Sequence, residues 1–325
     1  MRNSRLATRL SHLAYNIKGI TRMMSPRFLL ARREDILRAL QERSDVDMIK
    51  KRVDYYCQIN SKITLDKDAK SIASVRFARK GVGYKFDSYE YLRYFPQDFK
   101  AHFEFGDVSY ICTKPSLTKS RPVESGGGGG GSNTLLKLDK NRHFVFIKDP
   151  YKFSQKQDKL FYRGAIYQKH RIEFFQKYFN HPLCDLGHVG SKSLHHAWQK
   201  ARISIAKHLP YKFLLALEGN DVASNLKWVM SSNSLAIMPK PKFETWFMEG
   251  SLEPNVHYLQ IRDDYEDLEE RLEFCLLHPT FAQDIIYNAH QYVAQFFDKK
   301  REDLISLLVL EKYFYYTNQL NFLSI

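Results

Sequence analysis

Three observations predict an α/β protein of two domains. The chain has 325 residues, long enough to bury two cores. Short apolar runs of strand length alternate with stretches of helical spacing. One such alternation, Tyr211–Ile261, is spelled out almost residue by residue. Tyr211–Leu217 is an apolar run that predicts a buried strand. Glu218-Gly219-Asn220-Asp221 predicts a turn, because Gly and Asn tolerate left-handed backbone and Asp caps the next helix. Val222–Ser231 has helical spacing, and Ser234–Met238 is a second strand stopped by Pro239 and Pro241. A helix over Phe243–Glu249 and a strand over Val256–Ile261 complete the reading. Strand, glycine turn, helix and strand make half of a nucleotide-binding sheet, with N–H groups at the turn available to an anion. On pattern alone this is equally the turn of any α/β domain.

Hydrophobic content of 44% and charged content of 26% are ordinary for a globular protein. A formal charge of +14 is not, and it points to an anionic partner: nucleic acid, an anionic membrane face or a phosphorylated substrate. No run reaches the roughly 18 apolar residues of a membrane-spanning helix, and the basic N-terminus lacks the apolar core of a signal peptide. Cys57, Cys112, Cys184 and Cys275 are widely spaced, which argues against a metal or disulfide framework and fits reduced, buried thiols in a cytoplasmic protein.

Residues Met1–Arg33 form a basic amphipathic segment with Leu6, Leu10, Leu13, Ile17 and Ile20 at helical spacing. It suits either an anionic lipid surface or packing on its own domain. Helix continues over Glu34–Cys57, with another over Ser88–Phe95. Phe103–Cys112 reads as strand, sharp turn and strand, with Gly106-Asp107 at the turn. Lys119 and Arg121, in Pro115–Pro122, have the chemistry to reach a phosphate. Gly126–Ser132, six glycines and a serine, reads as an engineered linker replacing a surface loop. A strand is expected at Phe144–Ile147 and a domain boundary near Lys152–Lys159. The predicted domains are therefore 1–155, 156–300 and a C-terminal helix, 301–325, packing back on the first. Leu160–Gly164 is a strand ending in Arg163-Gly164; the glycine permits close approach and the arginine can clasp a phosphate, or pair with a carboxylate. Leu183–Gly187 is another strand, Ser191–His208 a helix, and Asp263–Glu273, Thr280–Phe297 and Glu302–Asn318 are helices. His195 and His196 point to different helix faces with no third ligand, so no metal site is read there.

Several motifs resemble glycosyltransferase family 90, which includes protein O-glucosyltransferases, fungal capsule xylosyltransferases and bacterial lipopolysaccharide enzymes. They are Gly219-Asn220, Ala223-Ser224 with Lys227, Ser232–Leu235, Glu244–Phe247, and Pro254 with His257-Tyr258. Earlier in the chain, Lys119–Pro122, Asn133–Leu138, Arg142–Phe144 and the Arg163-Gly164 strand end are similar too, with Arg171 as a second family arginine. The resemblance implies a GT-B fold, two Rossmann-like domains facing a cleft. It implies inverting transfer from a UDP-sugar with no metal and no other cofactor. On this footing Asp107 is the base. Arg163, Gly164, Arg171, Gly219, Asn220, Asp221, Ala223, Ser224 and Lys227 hold the donor, Glu244 accepts the ribose hydroxyls, and Lys119 and Arg121 meet the acceptor. Asn225 stands where several eukaryotic members have arginine. The bacterial branch implies an anionic glycolipid acceptor at the inner membrane surface and a cytoplasmic location. Two other classes are a nucleic-acid-binding protein, disfavoured by dispersed basic residues, and a non-catalytic sugar- or lipid-binding scaffold; within the family, a protein O-glycosyltransferase is the alternative.

Overall fold

The computed structural model describes residues 2–75, 82–123, 131–191 and 195–324. Residues 124–130, and with them most of the Gly126–Ser132 stretch read as an engineered linker, lie outside the described residues. The chain forms a mixed α/β structure of two compact units, each assembled from separate segments. One comprises Leu6–His143, Phe243–Met248 and Phe296–Ile325; the other comprises Met1–Arg5, Phe144–Lys242 and Glu249–Gln295.

The first, the mixed-sheet unit, begins with α1 (Arg2–Met24) from Leu6 onward, then α2 (Arg33–Arg38) and α3 (Val46–Tyr56). Strand β1 (Lys70–Ser71) and helices α4 (Ile72–Val75) and α5 (Val82–Leu92) precede β2 (Lys100–Glu104), β3 (Ser116–Thr118), β4 (Ser120–Pro122), β5 (Asn133–Leu135) and α6 (Lys140–His143). Its main sheet has the order β1-β2-β3-β5, antiparallel at β1/β2 and parallel elsewhere.

The second, the parallel-sheet unit, holds β6 (Gln157–Gly164), α7 (Lys169–Tyr178), β7 (Cys184–His188), β8 (Tyr211–Leu215), α8 (Leu226–Met230) and β9 (Leu235–Met238). The chain then returns to the mixed-sheet unit as β10 (Phe243–Thr245) before β11 (Leu259–Gln260), α9 (Leu268–Leu277) and α10 (Pro279–Ala294) finish the parallel-sheet unit. Its five strands are all parallel, in the order β11-β9-β8-β6-β7. Strands buried on both faces explain their continuous apolar runs; Leu235–Met238 is buried throughout.

Helix α11 (Lys299–Tyr316) closes the mixed-sheet unit. Its residues Leu304–Phe314 are all buried, as a helix at the centre of a core requires. In its first turn Glu302 takes a hydrogen bond from Trp246 Nε1 at 2.8 Å and ion pairs with Arg52 at 2.6 Å and Lys137 at 2.9 Å. Trp246 stacks on Tyr56 at 3.8 Å between ring centroids.

Several expected elements differ. Phe243–Glu249 is not a helix: β10 pairs antiparallel with β4, setting Glu244 directly opposite Arg121, and cross-strand pairing outweighs helical spacing. Ser191–His208 holds only two 3-10 turns, His196–Trp198 and Ile205–Lys207, among its described residues. Glu34–Cys57 is two helices, not one, and Phe144–Ile147 forms no strand. The helix expected over Val222–Ser231 starts only at Leu226, so no helix N-terminus lies at Gly219–Ser224. Neither Gly219 nor Asn220 has a positive φ. The four cysteines are free and buried.

Burial pushes the Glu302 carboxyl up, but Lys137 and Arg52 outweigh it and hold it below the ordinary glutamate value. Its contribution to stability is thus present above that ordinary value and is lost as pH falls through the lowered one. Replacing Glu302 with Gln takes the counter-charge from the buried Arg52, and urea unfolding should show a loss of about 3–5 kcal/mol.

Candidate functional site

The strand order places a switch point in the parallel sheet. From β6 the chain runs outward to β7, then crosses back to β8 on the other side of β6 and continues to β9 and β11. In open parallel sheets ligands lie outside the carboxyl ends of the strands where the direction of winding reverses, here between β6 and β8.

Arg171, in the first turn of α7, spans that point. Its Nη1 donates to Ala165 O, just past β6, at 2.8 Å. Its Nη2 and Nε donate to Leu217 O and Glu218 O, just past β8, each at 2.7 Å. A planar fork of donors can hold carbonyls on two diverging strands; a lysine could not. His170 Nε2 lies 2.9 Å from Glu218 O. Burial holds the His170 imidazole below its ordinary value, so at neutral pH it donates that bond as the uncharged ring. Gln168 Nε2 donates to Asn220 Oδ1 at 3.0 Å, and the Lys242 N–H donates to Glu218 Oε1 at 2.9 Å. Gly219 N–H donates to Asp221 O at 2.9 Å, and Asn225 Nδ2 donates to Leu215 O at 2.8 Å. Asn225 therefore secures the end of β8.

The fold thus brings Gly164, Arg171, Gly219 and Asn220 to the carboxyl ends of β6 and β8, followed by the buried Asp221 and Ala223 and by Ser224. Gly164 needs its missing side chain, since a Cβ there would sit 2.3 Å from the Tyr162 hydroxyl. Other expected donor residues already hold protein partners. Arg163 lies over the Phe161 ring at 4.2 Å and pairs with Asp185 at 2.6 Å. Lys227 is fully buried and ion-paired with Glu249. Glu244 belongs to the mixed-sheet unit, where Arg121 Nε donates to it at 2.7 Å and the Tyr55 hydroxyl also donates to it. Ser232–Leu235 sits at the amino ends of the strands: Ser234 Oγ donates to Tyr211 O at 2.7 Å and accepts from the buried Lys156 ammonium at 2.9 Å. That motif fastens the sheet.

In the mixed-sheet unit Asp107 follows Gly106, whose φ of 124° requires glycine. Its carboxylate accepts from Lys119 at 2.5 Å; Lys119 is 1% exposed, and the Asp107 side chain 26%. The strand expected over Val108–Cys112 is absent. Side chains hold that stretch instead of a ladder: Val108 N–H donates to Ser120 Oγ at 3.0 Å and Cys112 N–H to Asn133 Oδ1 at 2.8 Å. Arg121 also donates to Tyr55 O at 2.7 Å, so the charges of Lys119 and Arg121 are matched inside the unit.

Comparisons with known proteins bear on this arrangement. Residues 137–313 match the model of glycosyl transferase family 90. The O-glucosyltransferase LpsA of Dichelobacter nodosus is 42% identical over 267 residues, 82% of either chain. This chain belongs to glycosyl transferase family 90. A rumi homologue from Aedes aegypti, named an O-glucosyltransferase, is 25% identical over 47% of this chain and 41% of its own. The family 90 match spans the whole β6–β11 sheet with its switch point.

Two further features of this family 90 chain were not legible as a site in the sequence. His170 and Gln168 act with Arg171, and the signal was their place in the first helical turn after Arg163-Gly164. A cavity of about 650 Å³ in the mixed-sheet unit is lined by six basic and three acidic residues, among them Lys18, Arg22, Arg93 and Lys300. Its net positive wall suits an anionic guest; residues so distant in sequence meet only in the fold. The Asp-x-Asp triplets Asp45-Val46-Asp47 and Asp66-Lys67-Asp68 are already committed in part. Asp45 pairs with Arg43 and Arg301, and Asp66 and Asp68 both pair with Lys114.

Replacing Arg171 with Lys removes the fork while keeping the charge. The expected loss is about 1.5–3 kcal/mol in urea unfolding, with faster amide exchange at Leu217–Asn220.

Proposed function

We propose that this glycosyltransferase moves a hexose or pentose from a UDP-sugar, with inversion and without a metal, to a hydroxyl of a lipopolysaccharide or lipooligosaccharide core sugar. The crevice at the β6/β8 switch point carries the reading, because it gathers the family's glycine and arginine positions at the end of the sheet where nucleotides bind. The bacterial O-glucosyltransferase relative supports the acceptor class. The distant rumi relative keeps a protein acceptor as the second reading. A GT-B fold and a cytoplasmic location belong to the same proposal.

In this scheme the nucleotide lies against the Gly164–Ala165 and Leu217–Asn220 lips. Asp107 takes the proton of the acceptor hydroxyl as its oxygen attacks the anomeric carbon, and the bond to the diphosphate breaks on the opposite face. Cationic side chains offset the charge gathering on the departing UDP. Arg163 serves there by exchanging Asp185 for a phosphate. The basic cavity suits the acceptor's anionic groups better than Lys119 and Arg121, which are already paired.

A thermal-shift screen of nucleotide sugars, followed by UDP release with a purified core oligosaccharide, tests the proposal. UDP should raise the unfolding temperature, and Arg163→Ala should weaken UDP by about 1.5–3 kcal/mol in calorimetry. Equal affinity would remove Arg163 from the site. Asp107→Asn should lower turnover about 10²–10⁴-fold with donor affinity unchanged. Because that change also removes the charge that faces the buried Lys119 ammonium, Asp107→Asn with Lys119→Met should recover stability but not turnover. Recovery of turnover would exclude Asp107 as base. Transfer should persist in EDTA; loss restored by Mn²⁺ would overturn the metal-free mechanism.

A further inference from the structure

Helix α1 presents its apolar side outward. It rests on α5 through Tyr15, Gly19 and Arg22, spaced four and three residues apart on one face. Tyr15 OH donates to Gly83 O at 3.1 Å, a Cβ on Gly19 would meet the Phe86 ring at 2.3 Å, and Arg22 pairs with Glu90 at 2.6 Å. The opposite face carries Leu13, Ile17, Ile20 and Met24, exposed by 55%, 55%, 49% and 76%. Phe28 and Leu29, in the turn after the helix, are 83% and 69% exposed. A globular helix buries its apolar stripe. Here the inward face is a tyrosine, a glycine and an arginine, and the stripe is left for something else.

The charge identifies the partner. Helix α1 has five basic residues and no acidic one, and the first acidic residue of the chain is Glu34. Spacing of four and three would also suit a helix pair, but two such copies would bring only like charges together, with no acidic group to set the pairing. An outward apolar stripe on a helix whose sequence carries cations and no acidic residue matches an anionic bilayer. The stripe enters the boundary between headgroups and acyl chains while Arg and Lys meet lipid phosphates. Among the described residues no helix is long and apolar enough to cross a membrane.

We infer that α1, with Phe28 and Leu29, docks this protein on an anionic lipid surface. The inference deepens the glycolipid-acceptor reading, since an acceptor held in a bilayer is best met by an enzyme lying on it, but it is carried by α1 alone. The test is flotation of the full chain with phosphatidylglycerol–phosphatidylethanolamine vesicles against phosphatidylcholine vesicles. Binding should be at least about tenfold stronger to the anionic vesicles and should fall as salt rises. Ile17→Glu with Ile20→Glu, both at exposed positions, should abolish most of that binding and leave the unfolding temperature unchanged. Equal binding to both vesicle types, retention of binding in the double variant, or a dimer in light scattering that the double variant dissociates would each overturn the inference. Transfer to a lipid-free core oligosaccharide should be the same in both proteins. Its absence from both would sink the glycolipid-acceptor reading while the vesicle result stood.

Discussion

The reversal of winding between β6 and β8 is the constraint on which the candidate site depends. Two neighbouring parallel strands end there and their chains depart in different directions, so their last carbonyls face a gap instead of a ladder partner. The Arg171 guanidinium fills that requirement, binding carbonyls on both sides within 2.7–2.8 Å. Buried backbone oxygens need donors, and a group that satisfies three at once also fixes the width of the crevice. His170, Gln168 and Lys242 extend the same set of bonds to Glu218 and Asn220. The arginine acts as a girder of the site, and its contact with substrate is not needed to explain its place.

Much of the positive charge in this chain serves the interior in the same way. Lys119, Arg121, Lys227, Arg52 and Lys156 are each 5% exposed or less, and each has a carboxylate partner. Buried pairs of this kind contribute little net stability over an apolar core, but removal of one partner is severe, so they hold one arrangement against alternatives. The net charge of +14 is therefore a poor guide to which cations meet a ligand. Arg22 and Arg43, which border the basic cavity, are likewise ion-paired, with Glu90 and Asp45.

The parts of the fold legible in the sequence were those fixed by local pattern. Strands β6, β7, β8 and β9 follow from short apolar runs bounded by Gly and Pro, and α10 and α11 from long helical periodicity. The failures occur where long-range pairing decides. Phe243–Thr245 became a strand because β4 was there to receive it. Val108–Cys112 lost its strand because Ser120 and Asn133 side chains took up its backbone N–H groups. The candidate site divides similarly. Gly164, Gly219 and Arg171 were readable from the family motif, although Gly219 does not adopt the left-handed backbone expected of its turn. The internal commitments of Lys227, Glu244 and Arg121 were not, because a buried cation and a ligand-binding cation look alike until a carboxylate distant in sequence arrives beside one of them.

The mixed-sheet unit is not contiguous along the chain. Its central helix, α11, pairs Lys312 with Asp54, 258 residues apart, and β10 reaches β4 after the whole of the β6–β9 sheet has been made. During synthesis the N-terminal helices therefore emerge long before the helix that completes their core. At about 5–20 residues per second the wait is tens of seconds at the slower rates. Through that interval Tyr56 lacks Trp246 and Arg52 lacks Glu302, so an unfinished apolar surface is carried on the ribosome. Loss of α11 would leave the mixed-sheet unit without its centre.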